Sequence, residues 1–160
     1  MSIPTPVYMR PSGQEKLRKE LKKIREFDRP AVVEAIEEAR AHGDLKENAE
    51  YHAAKEKQGM LHARMTQIED ILSRAHVIDP SKTTMEKVAF GCTVTVLDLD
   101  LDDELTYTIV GTEEADAGNG LISYEAPLAK ALMGKEEGDD VIFNAPKGKR
   151  RFEVVEVEYR

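Results

Sequence analysis

The stretch AKEKQGMLHARMTQIEDILSRA, residues 54–75, places Ala54, Gln58, Leu61, Met65, Ile68, Leu72 and Ala75 at alternating spacings of four and three. That spacing repeats every two helical turns and is the seam of a coiled coil. Upstream, Leu17, Leu21 and Ile24 keep the same spacing, lose it at Asp28 and Pro30, and resume one residue out of phase at Val32, Ile36 and Ala39. Proline removes a backbone donor and collides with the preceding turn, so a kink or local break is expected at Pro30. Ser12 with Glu15 three residues on predicts the helix start as a reciprocal capping box. Two such seams joined by a short connection pack antiparallel. Arms of roughly 25 to 30 residues, at about 1.5 Å rise per residue, predict a finger about 40 Å long.

After His76 the period changes. Val77-Ile78-Asp79-Pro80 ends the second helix, and a polar run from Ser81 to Thr84 follows. Short alternating runs then predict strands over Val88 to Phe90, Cys92 to Leu97, Leu105 to Val110, Leu121 to Ser123, Asp140 to Asn144 and Phe152 to Tyr159. Pro127 to Met133, closed by Gly134, reads as one short helix with proline in its first turn. The expected fold class is α+β: an N-terminal coiled-coil finger over 1–76, a linker over 77–84 and a small sheet domain with one helix over 85–160.

Composition narrows the function classes. The net charge of −8 is unevenly spread, with residues 1–76 near +1 and residues 77–160 near −9. Affinity for free nucleic acid comes largely from clustered cations, so weak or no free DNA binding is expected and any nucleic-acid contact must be local. Neither a signal-peptide pattern at the N-terminus nor a run of about 20 apolar residues is present, so no membrane partner is expected. Cys92 is the sole cysteine, which excludes an internal disulfide and suits a reducing, cytoplasmic setting.

Most candidate motifs dissolve under inspection. Asp98, Asp100 and Asp102 imitate a calcium loop, but Asp103 stands where glycine is needed and Ile109 where glutamate is, leaving a solvated acidic hairpin loop. His42, His52 and His62 are ten residues apart, which turns successive members about 80° from one another on a helix. Lys147-Gly148-Lys149-Arg150-Arg151 reads as a charged turn, and neither Ser123 nor Cys92 lies in a nucleophile motif. Arg18, Lys22, Arg25 and Arg29 share one stripe of the first arm, either as a solvated face or as a contact for phosphates or an acidic partner.

The connection between the arms, Gly43-Asp44-Leu45-Lys46-Glu47-Asn48-Ala49-Glu50-Tyr51, is harder to dismiss. Gly43 can end the first helix, and Asp44 with Glu47 can box the start of the second. Glu50 continues their three-residue spacing, which would set all three carboxylates along one helix edge. Two close carboxylates suit a magnesium ion that completes its shell with water and phosphate oxygens. Held by so few ligands, the ion would need the rest of its site from another molecule.

These residues carry a resemblance to the bacterial Gre transcript cleavage factors, a family of transcription elongation factors. Besides the tip, it rests on Arg29-Pro30, Phe90-Gly91, Tyr107 to Gly111, and Pro127-Leu-Ala through Gly134-Lys-Glu-Glu-Gly-Asp139, and it spans nearly the whole chain. Leu45-Lys46 matches the A type of the family, since the B type differs at those two tip residues. The resemblance implies an antiparallel coiled coil followed by an FKBP-like antiparallel sheet domain. It also implies a partner, bacterial RNA polymerase, entered through its secondary channel, and a role for Asp44 and Glu47, with Glu50 as a further candidate, in holding a shared Mg2+ of the polymerase while backtracked nascent RNA is cut. Such a protein is not an enzyme by itself. Ala126 departs from the serine the family usually has before this proline.

Three other readings stay open. The first is a channel-binding inhibitor paralogue of the same fold, and the second a structural coiled-coil adaptor. The third, a peptidyl-prolyl isomerase, needs an aromatic-lined apolar site, whereas this half has no Trp and only Phe90, Tyr107, Tyr124, Phe143, Phe152 and Tyr159.

Overall fold

A computed structural model describes residues 5–44, 46–83 and 85–160. Met1 to Pro4, Leu45 of the Leu45-Lys46 pair, and Thr84 at the end of the expected linker lie outside the described residues. The chain divides into two compact units, one of Thr5 with Gln14–Ala75, the other of Pro6–Gly13 with His76–Arg160.

In the first unit, helix α1 (Pro11–Lys23) and helix α2 (Arg29–Ala41) are joined without a break, and helix α3 (Ala49–Ser73) returns alongside them. Of the kink or local break expected at Pro30, the break is not there. Ile24–Asp28 forms a π-helical turn instead, with the Arg29 N–H donating to the Ile24 carbonyl five residues back. A π turn holds one residue more than an α turn, and that residue is the phase slip seen in the sequence. Leu17, Leu21 and Ile24 before it, and Val32, Ile36 and Ala39 after it, are all buried. On α3 the seam runs through Met65 and Ile68, both buried, and ends on Ile71 as well as half-buried Leu72.

Two further boundaries differ from expectation. Helix α1 begins at Pro11, so Ser12 is already inside it and cannot cap it; Glu15 pairs with Lys19 at 3.2 Å instead. Helix α3 stops at Ser73, and Ala75–Val77 turns into a strand, β2, beside the N-terminal strand β1 (Val7–Met9). Three-residue strands are too short to show a period. Across the arms, Arg64 grips Glu20 through two N–H···O bonds of 2.7 and 3.0 Å. These bonds hold the Glu20 carboxyl below the usual carboxylate range.

In the second unit, β3 (Cys92–Asp98) is the middle of a five-stranded sheet. Its neighbours are β4 (Asp103–Val110) on one side and β7 (Gly148–Tyr159) on the other, with β5 (Leu121–Ser123) and β6 (Asp140–Ala145) at the edges. The sheet is mixed where an antiparallel one was expected, because β5 runs parallel to β4. The parallel step is made by two short turns between them, at Thr112–Glu114 and Ala117–Asn119. Helix α4 (Pro127–Leu132) packs Ala129 and Leu132 into a core with Val94, Val96, Ile109, Val141, Phe152 and Val154. Ala126 occupies its N-cap and offers no side-chain acceptor.

Val88 to Phe90 is not a strand. Its apolar run is buried, but the Val88 N–H donates to Lys135 and its carbonyl accepts from Gly134, both at 2.8 Å, so a loop satisfies this backbone. The N-terminal segment is held in the same unit by Glu114, which accepts from the Arg10 backbone N–H at 3.1 Å, from Arg10 Nε at 2.8 Å and from the Gly111 N–H at 3.0 Å. Tyr8 adds its ring to Phe90 and Tyr124, with centroids 6.0 and 5.4 Å away. Phe90 and Tyr124, two of the six aromatics of this half, thus pack on Tyr8 and on one another.

The expected solvated acidic loop holds one residue that is not solvated. Asp98 is 1% exposed, caps the β3–β4 hairpin by accepting from the N–H groups of Asp100 (2.9 Å) and Leu101 (3.1 Å), and binds the Arg150 guanidinium. The basic run is not the expected charged turn beyond Lys147: Gly148 to Arg151 open β7, where Arg150 lies against Asp98 and Arg151 reaches Asp100 at 3.2 Å. Arg150 and the two backbone donors hold the Asp98 carboxyl below its ordinary value. A carboxylate with a depressed folded pKa stabilises above its unfolded pKa and loses that contribution as pH falls through the folded one. Asp98→Asn is therefore expected to lower the melting temperature of the sheet unit at pH 7. The difference from wild type should shrink from about pH 4 downward, where the unfolded carboxyl protonates, in thermal melts followed by circular dichroism across pH.

Candidate functional site

Helix α2 ends at Ala41, and its exit is a left-handed step: Gly43 has φ +117°, with the Gly43 N–H directed to the Arg40 carbonyl at 3.4 Å. The next helix does not begin at Asp44. Its N-cap is Asn48, whose Oδ1 accepts from the Tyr51 N–H at 3.1 Å, the usual service of asparagine at this position. The expected Asp44–Glu47 box is therefore absent, and the three carboxylates do not share a helix edge. Asp44 closes a small turn by accepting from the Lys46 N–H at 3.0 Å, Glu47 lies in the turn, and Glu50 alone is helical.

The turn is held from inside by side chains that sequence reasoning missed. Asn48 Nδ2 donates to the Ala39 carbonyl of α2 at 2.6 Å, and His52 Nε2 lies 3.0 Å from the Lys46 carbonyl. Arg40 lies 5.8 Å from the Tyr51 ring centroid. Asn48 had a signal, since asparagine directly before a helical run is a cap signature. The backbone carbonyl that His52 faces has none.

Though not on one helix edge, Asp44, Glu47 and Glu50 do line one open recess of about 430 Å³, together with His42, Asn48 and Ala49. All three carboxylates are exposed. Oxygen donors of this kind suit a hard divalent cation such as magnesium, which keeps several waters. Among the described residues, no group of three or more His, Cys, Asp or Glu side chains could hold a metal ion. In donor type the set fits magnesium, and in number it amounts to part of a coordination shell.

The other candidates scatter. Of the basic stripe, Arg18 and Lys22 stay exposed, Arg25 turns across the hairpin to Glu69, and Arg29 donates to Met65 Sδ at 3.6 Å. His62 lines a groove with Arg29 and Lys55 between α2 and α3, while His42 and His52 sit at the tip. Cys92 is buried, and burial pushes its thiol up to about 11, which suits an inert core residue.

Two family models match the chain: Transcription elongation factor, N-terminal, over residues 7–77, and Transcription elongation factor, GreA/GreB, C-term, over residues 82–159. A transcription elongation factor GreA of Francisella tularensis subsp. novicida is 54% identical over 155 residues, covering 96% of this chain and 97% of that protein. The GreA factor homolog 1 protein of Thermus thermophilus is 29% identical at a TM-score of 0.44, covering 96% of this chain and 99% of that one. A GreA/GreB elongation factor from Nitrosomonas europaea is 23% identical at a TM-score of 0.43, with the same coverage.

Two glycines of the hairpin should respond oppositely to alanine. At Gly43 and at Gly59 an added Cβ meets nothing within 4 Å, so backbone conformation alone decides. Gly43→Ala must adopt a positive φ and is expected to lose roughly 1 to 2 kcal/mol. Gly59→Ala, inside α3, is expected to gain about 0.5 to 1 kcal/mol. Denaturant unfolding of both variants checks the pair.

Proposed function

The chain belongs to the GreA/GreB family of transcription elongation factors, and on that premise we propose that it enters the secondary channel of bacterial RNA polymerase and stimulates cleavage of backtracked nascent RNA. The single observation behind this reading is that Asp44, Glu47 and Glu50 open into one exposed recess at the turn of a helical hairpin. A structural hairpin needs turn chemistry there, and Gly43 and Asn48 already provide it. Beyond the one bond that Asp44 accepts from the Lys46 N–H, the carboxylates are left over.

In this reading the hairpin carries Asp44 and Glu47 to the polymerase active centre, and the sheet unit docks at the channel rim. Asp44 and Glu47 supply two oxygen ligands at high effective concentration to a site whose remaining ligands belong to the polymerase and the RNA. When bound, a second magnesium ion supplies activation of a water and neutralisation of developing charge. Glu50, at the start of α3, adds negative potential on the same side of the recess. Arg18 and Lys22, among the described residues without an ion pair, remain available to phosphates of the extruded RNA. The chain contributes ligands and no complete active site, so it has no nuclease activity alone and works in the cytoplasm, where its polymerase is.

Adding the protein to a backtracked elongation complex with magnesium should release short 3′ RNA fragments. Asp44→Asn and Glu47→Gln should each slow release by roughly a hundredfold or more, the scale of losing a few kcal/mol of charge stabilisation, while polymerase affinity stays within a few-fold. Wild-type cleavage by Asp44→Asn would sink the metal role. Slower elongation with no fragments released would mark an inhibitor of the same fold.

A further inference from the structure

We propose that Asn48 is a positioning residue for the tip: its amide ties the end of α2 to the first turn of α3, and so holds Asp44 and Glu47 where both can face one cation. The inference rests on the cleavage role proposed above for those two carboxylates.

Asn48 uses both ends of its side chain. Oδ1 accepts from Tyr51 N–H and caps α3, while Nδ2 donates to the carbonyl of Ala39, nine residues back on the other arm. Ala39 is itself buried at 2% in the interhelical seam, so the bond anchors the turn to the packed face of α2. Among the described residues from 41 to 50, Asn48 is the one that is not exposed. Capping alone does not call for asparagine here, because aspartate and serine cap equally well. Asparagine adds a donor at the same reach.

The carboxylates depend on that anchor because they have little else. Among the described residues, Asp44 bonds only to the Lys46 N–H, two residues along the same turn, and Glu47 makes no side-chain hydrogen bond. Their directions follow the backbone of the turn. Closing that turn across nine residues removes conformations that binding a cation would otherwise have to remove. His52, facing the Lys46 carbonyl, tethers the same turn from the α3 side.

Asn48→Asp and Asn48→Ser separate the two services. Both keep an acceptor for Tyr51 N–H; Asp presents no donor to Ala39 and Ser is too short to reach it, and the two differ in charge. Both variants are expected to keep polymerase affinity and Tyr51 amide protection, and to lose only the few degrees of melting temperature that one hydrogen bond is worth. Backbone 15N relaxation should show faster motion at the Asp44, Lys46 and Glu47 amides in the free protein. In backtracked complexes the maximal cleavage rate should fall about tenfold, the worth of one hydrogen bond of preorganisation, with Asn48→Ser also needing more magnesium for half-maximal rate. Unchanged turn relaxation, or an unchanged cleavage rate, in both variants would overturn the proposal. So would a loss of rate that comes with loss of Tyr51 protection, since capping would then account for it. Asp44→Asn run in parallel separates the failures: if it cleaves like wild type, the cleavage role falls, and the relaxation data still decide whether Asn48 orders the turn.

Discussion

A helix that must pass Pro30 and still keep one apolar face on its partner has a geometric problem, because each residue turns the helix by about 100°. Read as an unbroken α-helix, the first arm would rotate Val32, Ile36 and Ala39 off the face set by Leu17, Leu21 and Ile24. The π turn at Ile24–Asp28 absorbs the extra residue at the place where proline in any case withholds a donor and crowds the carbonyl four residues back. Both halves of the arm then meet α3, and all six seam residues are buried. The consequence reaches the tip, since with the register restored Ala39 lies inward and its carbonyl is in reach of Asn48. The turn that carries the carboxylates is thus closed on a register set some fifteen residues earlier.

The sheet unit solves a different problem with the same economy of parts. Its N-terminal segment is held against the β4 end by Glu114, which gathers two backbone donors and the Arg10 side chain. The fit is close enough to fix a residue type: a Cβ on Gly111 would come within 2.6 Å of the Tyr8 carbonyl oxygen, and one on Gly13 would meet the Glu114 side chain at 2.5 Å. Glycine is needed at Gly111 for this approach and not for its backbone angles, as its φ of −67° is ordinary.

The heptad seam of α3 was legible because it is long and periodic, and so were the strands of the sheet that pair over six residues or more, except that β7 begins at Gly148, inside a charged run that reads as a turn. What escaped were features decided by one bond. The slip near Pro30 was visible, but a pattern of apolar residues cannot distinguish a break from an inserted residue; the Arg29 to Ile24 bond does. Gly43-Asp44 followed by Glu47 has the composition of a box, yet Asn48 caps the helix because it stands directly before the helical run and also finds a carbonyl on the opposite arm. Val88 to Phe90 has strand composition, but the loop after α4 takes its backbone bonds. The A-type resemblance, by contrast, rests on residue identity and needed none of these contacts.

Two aspartates of the same chain show how a structural acid differs from an available one. Asp98 is buried and spends its oxygens on two backbone donors and a guanidinium, so nothing from outside can use it without undoing the hairpin. Asp44 stands at a turn of similar kind, accepts from one backbone N–H, and leaves its remaining lone pairs facing solvent. The difference is made by neighbours: no arginine or lysine pairs with Asp44 among the described residues, although the arms nearby are rich in both. An acid left unpaired at such a turn costs the fold little, because water solvates it. The acceptor capacity that the fold does not use at Asp44 and Glu47 is what a partner's metal site can take up, and the clamp at Asn48 orders the turn without consuming it.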